Sequence, residues 1–573
     1  MSIFKAGRAT QSGVRVTIAG IAGNLAVASG VTISLLCGIV LAGFTALLFI
    51  VRSQNPLSGL GIAIALTVIF NLVLFFLSPF LMDMVQNWLY KTRWVTLAEI
   101  EQHSPETARV LNRVCRQRNI NIPRLGIIDD YNPTAFTYGS LPNSARLVVS
   151  EGIFRYLDED EVATVYAHEL GHIVHWDFAI MTAASTLVQV AYLCYVAISE
   201  ITRKINNENA EKVTWVVSLS AYVFYVIGTY LLLYLSRVRE YFADHFAVEV
   251  TGNPNGLSRA LVKIAYGIVT EAQSSKQPSR LLQGTRALGI YDATAALACG
   301  TAYQVASSPE QMGKVFLWDM CNPWATWLEL NSTHPLTGKR VRALSTYAEQ
   351  LGLDTEFDMG RVSAEGRRLD KKRLYSTFIM DLLLLKGEWL SAIAGGIIGL
   401  FIFPNAPLKA LIALPLFAVG ITLILKRLVM FPSTSSAQPR DVLTLMSDPY
   451  ASPLRGQPAQ LQGTIIGRGD AGYVFGSDLK LQDRTGMIYL LYSSRFGVIG
   501  NFLFGMKRVQ GLIGMSARVK GWFRRGIVPW LDLELAETDN GTKITSHPAF
   551  WSLVMAILCL GISVLFFIFL SPS

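Results

Sequence analysis

Charge is missing from long stretches of this 573-residue chain. No Asp, Glu, Lys or Arg lies between Arg15 and Arg52, or between Arg52 and Asp83. Further uncharged runs cover 178–199, 213–235, 389–408, 410–425 and 548–573. Charged residues make up 16% of the chain and hydrophobic ones 51%, with a mean hydropathy of +0.38. That excludes an ordinary soluble protein. A helix needs roughly 20 apolar residues to cross a bilayer, and five of the runs reach that length. The pair 389–408 and 410–425 is marginal, because Pro404, Asn405, Pro407 and Lys409 break it, and reads as a hairpin that spans or nearly spans. The first run is too long for a signal-peptide core and a second follows at once, so an uncleaved anchor is expected.

Cysteine is scarce as well. None of the six residues forms a C-x-x-C pair, and three (Cys37, Cys194 and Cys559) lie inside apolar runs. This leaves no disulfide framework and no zinc-thiolate motif, and fits a reducing compartment. Acidic residues are outnumbered, with a formal net charge of +9. The basic residues are scattered over loops without a recognition motif, so nucleic-acid binding is not expected. Their distribution suits membrane orientation better. Lys5, Arg8 and Arg15 precede the first run, only Arg52 follows it, and Lys91, Arg93, Arg109, Arg113, Arg116 and Arg118 come after the second. Positive residues stay on the cytoplasmic side, which places the N-terminus and the segment from Asp83 to Asp177 in the cytosol.

Histidine is rarer still, yet three of the seven fall in "AHELGHIVHWD", Ala167 to Asp177. His168 and His172 are four apart, so on a helix they share one face. Glu169 follows the first. This is H-E-x-x-H, two metal-binding imidazoles and a general base in one turn. Asp158 and Glu161 upstream have capping-box spacing. His175 fits no ligand spacing and reads as a surface or interface residue. A catalytic zinc usually takes three protein ligands. After the apolar hairpin comes "SRVREYFADHF", where Glu240 and Asp244 are one helical turn apart. Two helices of about 22 residues each would carry the chain out and back, returning Glu240 to the height of His172. Asp244 could then accept a bond from the far nitrogen of a ligand histidine.

Taken with "STHPLTGKRVRAL" and the flanking apolar runs, "HELGHIVHWD" and "SRVREYFAD" resemble the HtpX-like integral-membrane zinc metalloproteases, whose wider group includes the CAAX prenyl proteases. The upstream "NPTAFTYGSLPNSARLVVSEGIFRYLDEDEVATVYAHELGH" is similar too, so the resemblance covers about residues 30–345. It implies one Zn2+ per chain held by His168, His172 and Glu240, with Glu169 as base. It makes Asp244 the carboxylate behind a ligand histidine, and gives Asp177 the place of an acidic residue that closes the metal helix. His334 matches a family histidine near the active site and could stabilise an oxyanion; it also suits a turn before Pro335. Thr134 stands where the family often has Asn, which removes a side-chain amide from the substrate strand. Backbone pairing of a substrate along Thr134, Ala135, Phe136, Thr137, Tyr138 and Gly139 remains open.

The fold expected is a multi-pass α-helical membrane protein with a mostly α-helical catalytic domain and a small β-rich C-terminal domain. The resemblance makes that catalytic domain a zincin of the gluzincin type. The expected divisions are 1–82 with two transmembrane helices (about 29–51 and 60–82), 83–178 with the metal helix, 179–235 as a transmembrane hairpin, and 236–386 with the third ligand. They continue with 387–427 as a membrane hairpin, 432–547 as the β-rich domain, a barrel or sandwich, and 548–573 as a last transmembrane helix. The function expected is zinc-dependent endopeptidase activity on membrane proteins or peptides at the cytoplasmic face of a bacterial inner membrane, in membrane-protein quality control. Narrow processing of CAAX type and a non-catalytic membrane scaffold are the alternatives. The lipid bilayer is an expected partner, and a protein partner is a candidate for the 432–547 domain.

Overall fold

A computed structural model describes residues 56–203, 208–274, 309–405, 409–468, 476–526 and 528–569. The expected anchor at 29–51 lies outside them. The described part of the chain begins with α1 (Pro56–Val85), an apolar helix on which Val68, Ile69, Phe70, Phe76 and Phe80 face outward. Val68–Trp88, Leu411–Met430 and Phe550–Ile568 are long and apolar enough to cross a membrane among the described residues. Two bent helix pairs would raise the count to five.

After α1 comes a small sheet of β1 (Arg93–Val95), β2 (Arg124–Ile128), β3 (Ala135–Tyr138) and β4 (Arg146–Ser150). Its order is β1-β2-β4-β3, with β2 and β4 parallel and β3 antiparallel to β4. "YNPTAFTYGSLPNS", turn-rich as sequence, therefore contains an edge strand. Gly139 lets it turn tightly, since a Cβ there would lie 2.9 Å from the Ala145 backbone. The Tyr138 hydroxyl donates to Asp83 at the end of α1, and Arg146 pairs with the same carboxylate at 2.7 Å.

Helix α2 (Pro105–Arg118) and the sheet pack on α3 (Glu159–Val174), which carries H-E-x-x-H. The start of α3 is as read from sequence. Asp158 caps it, and Glu161 accepts from the Asp158 amide at 3.0 Å. Glu161 is fully buried, which would be costly for an isolated charge; Arg259 and Lys263, at 2.8 and 2.7 Å, compensate it. Both belong to α6 (Pro254–Ser274), so α3 is pinned to α6 at its N-terminus.

At its C-terminus α3 does not run on into the next helix. Trp176 has φ +60°, and α4 (Asp177–Arg203) leaves at an angle of 54°. Arg239 donates to the His175 carbonyl at 2.8 Å across this break, where a helix end favours a cation. The returning arm is α5 (Glu208–Thr251), a continuous helix of 44 residues. It packs antiparallel to α4 and ends against α3. Gly171 permits that contact, because a Cβ there would lie 3.1 Å from Cα of Ala243.

Helices α7 (Pro309–Cys321) and α8 (Thr337–Gln350) close the helical unit that carries H-E-x-x-H. Next, α9 (Lys371–Leu385) bends by 71° into α10 (Gly387–Ile402), which packs on α11 (Leu414–Met430). The β-rich segment follows, with β5 (Gln438–Pro439), β6 (Gln457–Arg468), β7 (Leu479–Gln482), β8 (Met487–Leu491), helix α12 (Gly497–Lys507), β9 (Ser516–Arg525), β10 (Pro529–Thr538) and β11 (Lys543–Thr545). Pairing runs β6-β7-β8-β10-β9 and back to β6, with β8 and β10 parallel. That ring is a closed five-stranded Greek-key barrel of OB type. A barrel wins over a sandwich because β9 pairs with both β10 and β6. The last helix, α13 (Phe550–Phe569), packs on α11.

The barrel is docked on this helical unit by buried polar contacts. Arg525 donates to the Val315 carbonyl at 2.9 Å, lies 3.7 Å from Asp319, and covers the Trp318 ring. Asp319 in turn accepts from the Gly338 amide at the start of α8.

Candidate metal centre

The helices α3 and α5 meet so that three side chains converge. His168 Nε2 and His172 Nε2 are 3.2 Å apart. Glu240 places Oε2 3.6 Å from the first and Oε1 3.6 Å from the second. His168, Glu169 and Glu240 are buried, and His172 is mostly so.

Each histidine is held from behind. His168 Nδ1 faces Asp244 Oδ1 at 2.9 Å, and His172 Nδ1 faces Asp177 Oδ2 at 2.6 Å. An ionised carboxylate only accepts, so each one favours a proton on the Nδ1 it faces. Each Nε2 is thereby turned toward the other and toward Glu240, so one cation placed between them would be shared by all three groups. These residues therefore fit a divalent metal, with two imidazoles and one carboxylate as a zinc-type donor set. Asp177 and Asp244 occupy equivalent positions, one behind each histidine.

Two arginines complete the arrangement, and sequence reasoning missed both. Arg340 on α8 reaches Asp244 with Nε at 2.9 Å and Nη2 at 2.6 Å, and lies 3.3 Å from Glu240 Oε2. Arg239 pairs closely with Asp177. The only hint was that Arg340 lies six residues past His334 in the quoted "STHPLTGKRVRAL". Burial would raise the Glu240 pKa, but His334, His168, Arg340 and His172 outweigh it and hold the group well below the usual carboxylate range. Asp244 is lowered as well: burial opposes its charge, and Arg340 and His168 overcome that.

Glu169 behaves oppositely. Burial pushes its pKa up, Glu240 adds to this, and the two histidines do not fully offset it. Neither of its oxygens meets a donor at full hydrogen-bond geometry, although the Thr137 hydroxyl on β3 is near enough to lower its pKa slightly. A desolvated carboxylate of raised pKa beside a metal cradle is suited to accepting a proton.

His334 is brought to the site, with Nε2 3.5 Å from Glu240 Oε1. Its loop is braced by Arg237, which donates to the carbonyls of Glu329 and Ser332 at 2.8 Å each, and by the Ser332 hydroxyl, which donates to the His334 carbonyl at 2.8 Å. Thr134 is buried and its amide donates to the Ser150 hydroxyl, so it is tied to the β4 side. Ala135, Phe136, Thr137 and Tyr138 form β3, whose other edge pairs with no described strand. His175, read as a surface or interface residue, is half-buried where α3 meets α5. It packs edge-on between Phe242 and Phe246, and burial drives its pKa down to about 3.

Comparison with known proteins adds an independent line. Residues 101–348 match the model of peptidase family M48. The chain is similar to a Protease HtpX homolog of Aeropyrum pernix, 30% identical over 345 residues, covering 56% of this chain and 98% of that protein. It is also similar to homologs from Methanothermobacter thermautotrophicus and Desulforapulum autotrophicum. The first is 30% identical, covering 37% of this chain and 75% of that protein. The second is 33% identical, covering 39% and 72%. No solved structure matches.

Proposed function

Because the chain belongs to the HtpX-like proteases of peptidase family M48, we propose that it is a membrane-embedded, zinc-dependent endopeptidase of the gluzincin type, cleaving membrane proteins at the cytoplasmic face. The carrying observation is the pair of imidazoles, each backed by a carboxylate, facing Glu240 beside a desolvated Glu169.

His168, His172 and Glu240 would hold the ion. When bound, zinc supplies Lewis acidity that polarises a carbonyl and acidifies water. Glu169 takes the proton of the attacking water and returns it to the leaving amine. Asp244 and Asp177 keep each imidazole in the tautomer that presents Nε2 to the site. His334 stands where an imidazole can donate to developing negative charge. The substrate enters extended, pairing along β3, with Thr137 turned toward Glu169. Apolar helices beside the site, α1 and the α4–α5 pair, supply the reason for membrane substrates: segments leaving the bilayer reach β3 without crossing bulk water. Degradation of damaged or misassembled membrane proteins in a bacterial inner membrane is the role this favours.

The test is wild type against Glu169→Gln, purified in detergent, assayed for bound zinc and for cleavage of an unfolded model protein. We expect stoichiometric zinc in both and a rate about 10²–10⁴-fold lower in the variant, the usual contribution of a general base. A folded preparation never exposed to chelator that holds no zinc would sink the proposal.

A further inference from the structure

The barrel helix α12 has two unlike faces. Inward, Phe504 stacks on Tyr492 with ring centroids 3.8 Å apart, and Val509 and Leu512 of the following turn are buried in the barrel core. Outward, Phe496, Val498 and Ile499 are 79%, 85% and 71% exposed, and Phe502, Leu503 and Met506 continue the same surface. Contiguous apolar surface of this kind marks an interaction site. Arg495, Lys507 and Arg508 flank it, all exposed.

Its position says what covers it. The segment before α12 is tied to the start of α13. The Ser493 carbonyl accepts from the His547 amide at 2.7 Å, and the Ser493 amide donates to the Ser546 hydroxyl at 2.9 Å. A Cβ on Gly497 would lie 3.5 Å from the Trp551 indole nitrogen. Trp551 is half exposed at the mouth of α13, where interfacial aromatic residues sit. Helix α11 ends at the same level. Gly420 packs on Leu560 and Ala556, and the Ser563 hydroxyl donates to the Ala413 carbonyl, so α11 and α13 are antiparallel and Met430 comes level with Phe550. Both candidate spans thus meet the barrel at one end, and α12 lies beside that end. At 11 residues α12 is about 16 Å long, too short to cross a bilayer.

We propose that α12, with Phe496 and Trp551, is an interfacial membrane helix. It lies at the boundary of headgroups and acyl chains with its basic flanks toward the phosphates, and seats the barrel on the bilayer. This rests on α13 crossing the membrane. A second copy of the chain or a protein partner would be the rival occupant.

The test reconstitutes the full chain, one copy per nanodisc, in phosphatidylcholine and phosphatidylglycerol with a diazirine near the carbonyl end of the acyl chain. After illumination, lipid adducts are mapped by mass spectrometry. Adducts on 496–506 and at the start of α13, with none on β10, are expected. In Val498→Asp/Ile499→Asp the adducts on 496–506 should fall to background while those on α13 persist. Adducts on α13 but none on α12 in the wild type would overturn the proposal and leave the protease reading intact. Adducts on neither would overturn it by removing the span on which it rests.

Discussion

Asp244→Asn separates the roles of charge and shape at the metal centre. The side chain is fully buried, lies 2.9 Å from His168 Nδ1 and accepts from two nitrogens of Arg340. Asparagine keeps the volume but has one acceptor and a donor group. If its oxygen stays on His168, its amide faces Arg340; if it turns to Arg340, its amide faces His168. Either way donor meets donor, and Arg340 keeps only the longer 3.3 Å contact to Glu240 among its carboxylate partners at the centre. Breaking one member of a buried charge pair costs about 3–5 kcal/mol. Because Glu240 still compensates part of the guanidinium charge, the low end, ~3 kcal/mol, is expected. Loss of a histidine's outer anchor typically weakens metal binding by about 10–100-fold, roughly 1.4–2.7 kcal/mol. So stability should suffer more than affinity, and the two must be read separately. Thermal unfolding of the metal-free protein in chelator gives the first, and zinc titration against a chromophoric competitor gives the second. Asp160→Asn is the control, since Asp160 pairs with Arg259 at a side chain 39% exposed and its loss should stay within ~1 kcal/mol. A metal-free Asp244→Asn that melts with the control, and binds zinc like wild type, would falsify the view that Asp244 holds His168.

Three further outcomes are expected. Gly171→Val should force α5 away from α3, because even a Cβ meets the Ala243 backbone at 3.1 Å; overpacking of about 1–3 kcal/mol and a clear loss of zinc affinity should appear together in melting and titration. His175 is held neutral down to about pH 3, whereas the unfolded chain protonates it near its ordinary 6.5. Its contribution is therefore complete above pH 6.5 and is lost as pH falls toward 3, by up to about 1.4 kcal/mol per pH unit; His175→Phe should flatten that acid limb of a stability–pH curve. Arg525→Ala removes the guanidinium from the Val315 carbonyl and from buried Asp319. Undocking the barrel should show as faster limited proteolysis between 309 and 547, while an unchanged digestion pattern would mean that the barrel is held by other contacts.

Much of this protein is local in sequence and therefore legible in it. The spacing of His168 and His172 places both on one helical face whatever surrounds them, and Asp158 with Glu161 starts that helix by contacts three residues apart. Among the described residues the uncharged runs coincide with apolar helices, because a long stretch without charge leaves the helix no polar face. The β-rich domain at 432–547 is expected from sequence as a barrel or sandwich, without a choice between the two. The return of Glu240 followed from hairpin length alone. Tertiary structure decided the rest. Arg340 and Arg239 act across 96 and 62 residues of chain on Asp244 and Asp177 (340 − 244; 239 − 177). No local pattern distinguishes them from solvated arginines. His175 follows the H-E-x-x-H helix by ordinary spacing, yet Phe242 and Phe246 from the returning arm pack on its ring and leave it half-buried. The break at Trp176 needs a positive φ that only the packing of α3, α4 and α5 enforces. Barrel closure depends on β9 pairing with both β6 and β10, a long-range choice that alternation leaves open. Short-range geometry wrote the metal helix into the sequence, whereas the charges that hold its histidines are set by which distant helices the fold brings beside them.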